Sequence, residues 1–260
     1  MPPMTVHVAG VGVAMPGLEG WEAAAAALRG DRVWSPAAVQ APRASVLPRT
    51  EARRATGIVH LAVRAADEAL PVAQAGDDEL ASVFASAEGD MATLEHICRS
   101  LAAPEPWVSP HRFHNSVHNA PAGYWSIAAR CHGSSTSLSA GDTTAAAGLL
   151  EALGLVLADG HERCLLVVYD EAASPALTTV RANRVPFAAA LLLCGDGDGP
   201  RLSVSQVDAA PSGCRVAAFD ALRESSAAAG ILPLLACLAA GGGRTVLPCQ
   251  ASGIAVEVTG

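Results

Sequence analysis

The chain has 260 residues, 51% of them hydrophobic and only 4% aromatic, with a formal net charge of −8. A chain of this length buries a core of its own as one domain, and the acidic balance excludes the basic surface that nucleic acid or an anionic membrane requires. All 17 basic residues are Arg and none is Lys, which reads as a coding bias before it reads as chemistry. The seven cysteines (Cys98, Cys131, Cys164, Cys194, Cys214, Cys237 and Cys249) show no CxxC and no His at metal-ligand spacing. They read as reduced core thiols. The N-terminus lacks a signal-peptide pattern, and no apolar run reaches the length of a membrane span. A soluble, cytoplasmic protein without metal or cofactor is expected.

Residues 4–15 alternate and are β-branched, predicting a first strand that ends in a glycine turn. Gly10 and Gly12 hint at a dinucleotide loop, but Met15 stands where the third glycine of G-x-G-x-x-G belongs. Trp21 to Arg29 reads as a short Ala-rich helix, and 31–50 as a Pro-punctuated loop. Apolar residues at helical spacing predict one long helix from Arg49 to Leu70. Leu80 to Ala87 reads as a strand, Met91 to Ala102 as a helix and 103–121 as a loop rich in Pro, His and Asn. His111, His114 and His118 fall in that loop at zinc-like spacing, but no helix is predicted there to align them, so loop hydrogen bonding is the reading. Ala122 to Arg130 is helical.

The small residues of Ser134–Ala140 suit a strand approached closely on both sides. Leu165–Tyr169 and Val185–Leu193 are continuously apolar, as in a sheet covered on both faces. Beyond Pro200 come a strand at Leu202–Val207, a helix at Ala218–Ala240 and short strands at Thr245–Leu247 and Ile254–Val258. The alternation predicts a layered α/β fold, a mixed sheet covered by helices. Residues 1–199 form the main domain and 200–260 an extension packing on it.

The stretch SLSAGDTTAAAGLLEALGLVLADG (Ser137–Gly160) organises this reading. A strand and a tight turn at Gly141-Asp142 lead into a helix too apolar to have a polar face, which must be buried. Its N-terminus presents unpaired N–H groups and the positive end of the helix dipole, where a nucleophile or an acyl oxygen would sit. The residue there is Asp142, followed by Thr143 and Thr144. A carboxylate is a good N-cap and a poor acyl nucleophile.

The order of elements and the residues at their joints resemble the N-terminal half of the beta-ketoacyl synthases of the thiolase superfamily. VAGVGVAMPGLEGWEAAAAALRGDRVW (8–34) is similar to that family's opening strand, turn and helix, and RRATGIVHLAVRAADEAL (53–70) to its second helix. SPHRFHNSVHNAPAGYWSIAARCHGSSTSLSAGDTT (109–144) is the sharpest match, with Asn119, Ala122, Gly123 and Gly133 in family places. Counted from Gly133, the position of the family's nucleophilic Cys holds Asp142. The C-terminal half, with its catalytic His residues, Lys and Gly-rich loop, has no counterpart, and His161 lies beyond the helix.

The resemblance therefore implies a thiolase-like fold, mostly one half of a ketosynthase, of the chain length factor type. It implies a catalytically silent subunit that pairs with an active beta-ketoacyl synthase and helps set acyl or polyene length, in a fatty-acid or polyketide-type pathway such as that of the aryl polyenes. Acyl carrier protein would be met only through the partner. By the same resemblance Arg112, Phe113, Ser116 and Val117 are tunnel and interface candidates, and Asn119, Gly141, Thr143 and Thr144 shape the pocket. Packing accounts as well for Tyr124 and Trp125. The rival reading is an acyl-processing enzyme, a decarboxylase or acyltransferase, using the remnant pocket at Asp142.

Overall fold

The structure is a computed structural model that describes residues 3–35, 44–75, 80–179, 182–250 and 252–260. One mixed sheet runs through it in the order β4-β3-β5-β6-β1-β7-β9-β8. The strands are β1 (Met4–Met15), β3 (Ala81–Ala85), β4 (Ser135–Leu138), β5 (Arg163–Asp170), β6 (Phe187–Cys194), β7 (Arg201–Val207), β8 (Gly242–Cys249) and β9 (Ser252–Thr259). The two-residue β2 (Leu18–Glu19) turns back on the end of β1. β3 is parallel to β4 and β5, and the remaining pairings are antiparallel.

Two helical layers cover the sheet, as continuous apolar strands require. On one face α3 (Gly57–Ala69) crosses β1, β6 and β5, with α6 (Ala120–Ala129) beside it. The other face carries α7 (Thr144–Leu157) over β3 and β5, together with α1 (Gly20–Arg29), α8 (Ala217–Ser225) and α9 (Leu232–Ala239). Nine residues of α7 are buried, the central helix that its composition demands. β5 and β6 lie between the two layers, and every residue of FAAALLLC (187–194) is buried. Trp34, after α1, stacks on Phe219 of α8 with ring centroids 4.8 Å apart and planes 8° apart. That contact, between rings both at least 95% buried, seals the two ends of the chain together. Burying Phe219 alone is worth about 2–3 kcal/mol.

Gly10 and Gly12 form no turn. They lie inside the unbroken β1, where a Cβ on Gly10 would sit 2.0 Å from the Ala69 carbonyl oxygen and one on Gly12 2.0 Å from that of Ala65. Their role is to let α3 lie directly on the strand.

Three expectations need correction. The long helix predicted from Arg49 to Leu70 is two, α2 (Arg49–Arg54) and α3, separated by extended backbone at Ala55 (ψ 136°) and Thr56 (ψ 173°). The helix predicted over 218–240 also breaks, at Ser226 (ψ 126°), into α8, a 3-10 turn at Ala228–Ile231 and α9 with Pro233 in its first turn. The loop 103–121 contains a short helix, α5 (Pro110–Asn115), started by a proline that suits a first helical position. In the single chain β4 forms the edge of the sheet, paired with β3 among the described residues. Helical spacing was visible in the first two cases; it does not report the breaks, beside which Asn115 bonds the Arg54 carbonyl and the Ala228 N–H bonds Asp170. The remaining helix on this side is α4 (Met91–Leu101), whose N-cap Asp90 accepts the Thr93 N–H at 2.8 Å. No helix is long and apolar enough to cross a membrane among the described residues.

Candidate functional site

The turn Gly141–Thr143 delivers the chain into α7, with Gly141 at φ 56°, a conformation that glycine adopts without a Cβ clash. Asp142 is exposed inside this turn. It is not the N-cap of α7: that position belongs to Thr143. The turn is tied instead by hydroxyls. Thr144 Oγ1 accepts the Ala140 N–H at 2.9 Å and donates to the Gly141 carbonyl at 2.6 Å, and Thr143 Oγ1 donates to the Ala140 carbonyl at 2.9 Å. Two adjacent threonines thus fasten the turn, while Thr143 at the N-cap of α7 makes no side-chain cap bond.

Asp142 borders a cavity of about 250 Å³, lined also by Glu88, Asp170, Asn183, Arg223 and Glu224. Among the described residues neither a cysteine nor a histidine lines it. Such a lining accepts hydrogen bonds and pairs with cations. Ser225 and Ser226 add two hydroxyl residues to it.

Asp170 anchors the cavity floor and was not singled out from the sequence. It closes β5 and is 1% exposed. Its Oδ1 accepts from Ser86 Oγ at 2.8 Å, Ala87 N at 3.0 Å and Glu88 N at 3.2 Å, and its Oδ2 accepts from Ala228 N at 3.0 Å. Burial raises its pKa, while the hydrogen bonds from Ser86, Ala228, Glu88 and Ala87 oppose that rise. Every partner is a donor, and Ser86 Oγ in turn accepts the Gly89 N–H, so the geometry suits a carboxylate. One side chain therefore ties the end of β3 to the C-terminal segment. The signal in the sequence was a lone acid closing the apolar run CLLVVYD. Beside it, the Tyr169 phenol is driven well above its ordinary value by burial first and the Asp170 charge second.

The interface candidates lie together on a second feature. Arg112 and Phe113 belong to α5 and Ser116 and Val117 follow it; all four are exposed, Phe113 by 65% and Val117 by 51%. Their presentation depends on two neighbours that point inward. Asn115, buried, donates through Nδ2 to the Arg54 carbonyl at the end of α2 and accepts the Tyr124 hydroxyl through Oδ1 at 3.0 Å. The His118 ring lies 2.9 Å from the Ser86 carbonyl, and the Tyr169 hydroxyl donates to the His118 carbonyl. Tyr124 and Trp125 are buried in the α3-side core. Asn119 is exposed at the N-cap of α6 without a side-chain cap bond, and neither it, Thr143 nor Thr144 lines the cavity beside Asp142. His111 and His114 are exposed on α5, and no group of His, Cys, Asp or Glu able to hold a metal is found among the described residues.

The fold and the joint at Gly141–Thr143 can be compared with known proteins. Residues 21–240 match the family described as beta-ketoacyl synthase, N-terminal domain. The chain belongs to that family. Its ketosynthase-like fold is shared along the whole length of several solved structures. One is a ketosynthase (ApeO) in complex with its chain length factor (ApeC) from Xenorhabdus doucetiae, at 23% identity and TM-score 0.74, over 98% of this chain and 99% of that one. Another is the ishigamide ketosynthase/chain length factor, at 16% identity and TM-score 0.71 over 98% of each chain. A third is the AntDE:AntF complex of a type II polyketide acyl-carrier protein with its ketosynthase, at 11% identity and TM-score 0.73 over 99% of each. At these identities the likeness establishes the thiolase-like architecture of this ketosynthase relative. No protein of curated function matches it.

Proposed function

We propose that this chain is a chain length factor: a catalytically silent ketosynthase-like subunit that forms a heterodimer with an active beta-ketoacyl synthase and helps set the length of its acyl or polyene product. The observation that carries the proposal is the elbow itself. The chain keeps the dipole end of α7, the sequence likeness would set Asp142 where the family's nucleophile stands, and the adjoining cavity is lined by carboxylates, Arg223, Ser225 and Ser226 with no Cys or His among the described residues. The ketosynthase would supply the nucleophile, the His donors and the carrier-protein docking surface. The exposed run Arg112, Phe113, Ser116 and Val117, held out by Asn115 and His118, supports a role against the growing chain, since a packed wall rejects additional methylenes. Residues 200–260 would serve this role by completing the core under the elbow.

The test is co-expression with the ketosynthase encoded beside it, tagging this chain alone, followed by size exclusion and mass spectrometry of products. A stoichiometric complex is expected. Phe113→Ala in the complex should give longer or more mixed products, whereas Asp142→Ala should leave the rate unchanged. A stable lone monomer that binds no ketosynthase, or loss of turnover on Asp142→Ala, would overturn the proposal.

A further inference from the structure

A second cavity, of about 520 Å³, opens where the end of α1, helix α9, strand β8 and the loop before α8 meet. Its lining has two characters. Leu28, Pro233, Ala236 and Ala240 supply an apolar wall, and Arg29, Arg215 and Arg244 border it. Arg29 is engaged, bonding Asp31 at 2.8 Å and the Ala239 carbonyl at 3.2 Å. Arg215 and Arg244 are exposed and make no hydrogen bond or ion pair among the described residues. Glu257 stands opposite Arg244 in the β8–β9 register, and Asp31 is the only carboxylate in the described lining. In a chain of net charge −8, Arg215 is the cation of this lining left uncompensated, since Arg29 pairs with Asp31 and Arg244 shares the opposite face of β8 with Glu257.

The independent observation is Thr245, which also lines the cavity. It is 2% exposed, and its buried hydroxyl has no hydrogen-bond partner. The side chain lies on the face of β8 that meets α9, the same face as Gly243, where an added Cβ would sit 3.2 Å from Cys237 Sγ. Buried hydroxyls are seldom left unpaired, and an unfilled one points to an absent partner. Ser212, whose hydroxyl accepts the Val246 N–H at 2.9 Å, holds the loop edge in place beside it.

We propose that this cavity binds an amphipathic anion, a phosphate or carboxylate head on a short apolar body, with Arg215 receiving the head and Thr245 Oγ1 donating to it. Guanidinium groups match such heads geometrically, and the volume is that of a small-molecule pocket. The site is separate from the elbow and the proposal does not depend on the chain-length role.

Titration calorimetry on the full chain, in complex with its ketosynthase if that is the form that purifies, tests this with hexyl phosphate, hexanoate, hexanol and hexyltrimethylammonium. Saturable binding of an anionic probe is expected, weakening as salt rises, and hexyl phosphate against hexanoate identifies the head. Arg215→Gln, at an exposed position, should weaken binding about tenfold, whereas Arg244→Gln, on the opposite face of β8 beside Glu257, should leave it unchanged. Thr245→Val should weaken it several-fold while leaving the unliganded chain no less stable, since it removes an unpaired hydroxyl. No saturable binding of either anion, equal binding of the cation, or unaltered affinity in both Arg215→Gln and Thr245→Val would overturn the proposal.

Discussion

Replacing Asp170 by Asn isolates the tie between the end of β3 and the C-terminal segment. The amide oxygen can still accept from Ser86 Oγ, Ala87 N and Glu88 N, which all converge on Oδ1. The amide nitrogen, however, must then face the Ala228 N–H, which now donates to Oδ2 at 3.0 Å. One charge-assisted bond is lost and a buried donor is left without an acceptor, a cost of about 2–3 kcal/mol. The burial that raises the carboxylate's pKa offsets part of this, because a neutral amide carries no such penalty. A net loss of about 2 kcal/mol lowers the melting temperature of a domain this size by about 4–8 °C. Urea unfolding measures the loss, and amide exchange locates it: the Ala228–Ile231 turn should lose protection well before β5 does. Unchanged protection at Ala228, with a stability change under about 0.5 kcal/mol, would show that Asp170 is not the tie.

Gly12→Ala places a Cβ 2.0 Å from the Ala65 carbonyl oxygen and 2.8 Å from the Ala69 amide, both backbone, so α3 must lift from β1 and the urea midpoint should show a loss of at least about 3 kcal/mol. Gly154→Ala in α7 meets nothing within 4 Å and should stabilise the same measurement by about 0.5–1 kcal/mol through helix propensity alone. Glu171 is pushed up to about 7 by burial first and by the Asp90 charge second, from an ordinary 4.5. Its folded pKa lies above the unfolded one, so the folded state binds the extra proton and stability falls as pH rises from about 4.5 to about 7. The group's contribution to that fall is at most about 3 kcal/mol, and Glu171→Gln should flatten the stability profile across this window while raising stability above it.

The apolar and small-residue patterns by themselves determined much of this protein. Alternation in residues 4–15, the unbroken runs CLLVVY and FAAALLLC, and an all-apolar helix after Gly141 dictate buried strands and a buried helix, because no solvent-facing arrangement of those side chains is stable. The turn at Gly141-Asp142 was legible for the same local reason, as was the family likeness of 109–144. Tertiary structure decided the rest. That Thr143 and Thr144 tie the turn depends on which hydroxyl reaches which backbone group, a matter of ångströms that composition does not contain. Gly10 and Gly12 suggest a phosphate loop until α3 is seen lying on them. The helix breaks at Ala55 and Ser226 interrupt segments whose periodicity is continuous, and the Asn115 bond to Arg54 and the Asp170 bond to Ala228 lie beside them, formed with partners 61 and 58 residues away. Asp170 itself is one acid among many in a list of residues. It becomes the anchor of the site only when four donors from two distant segments converge on it.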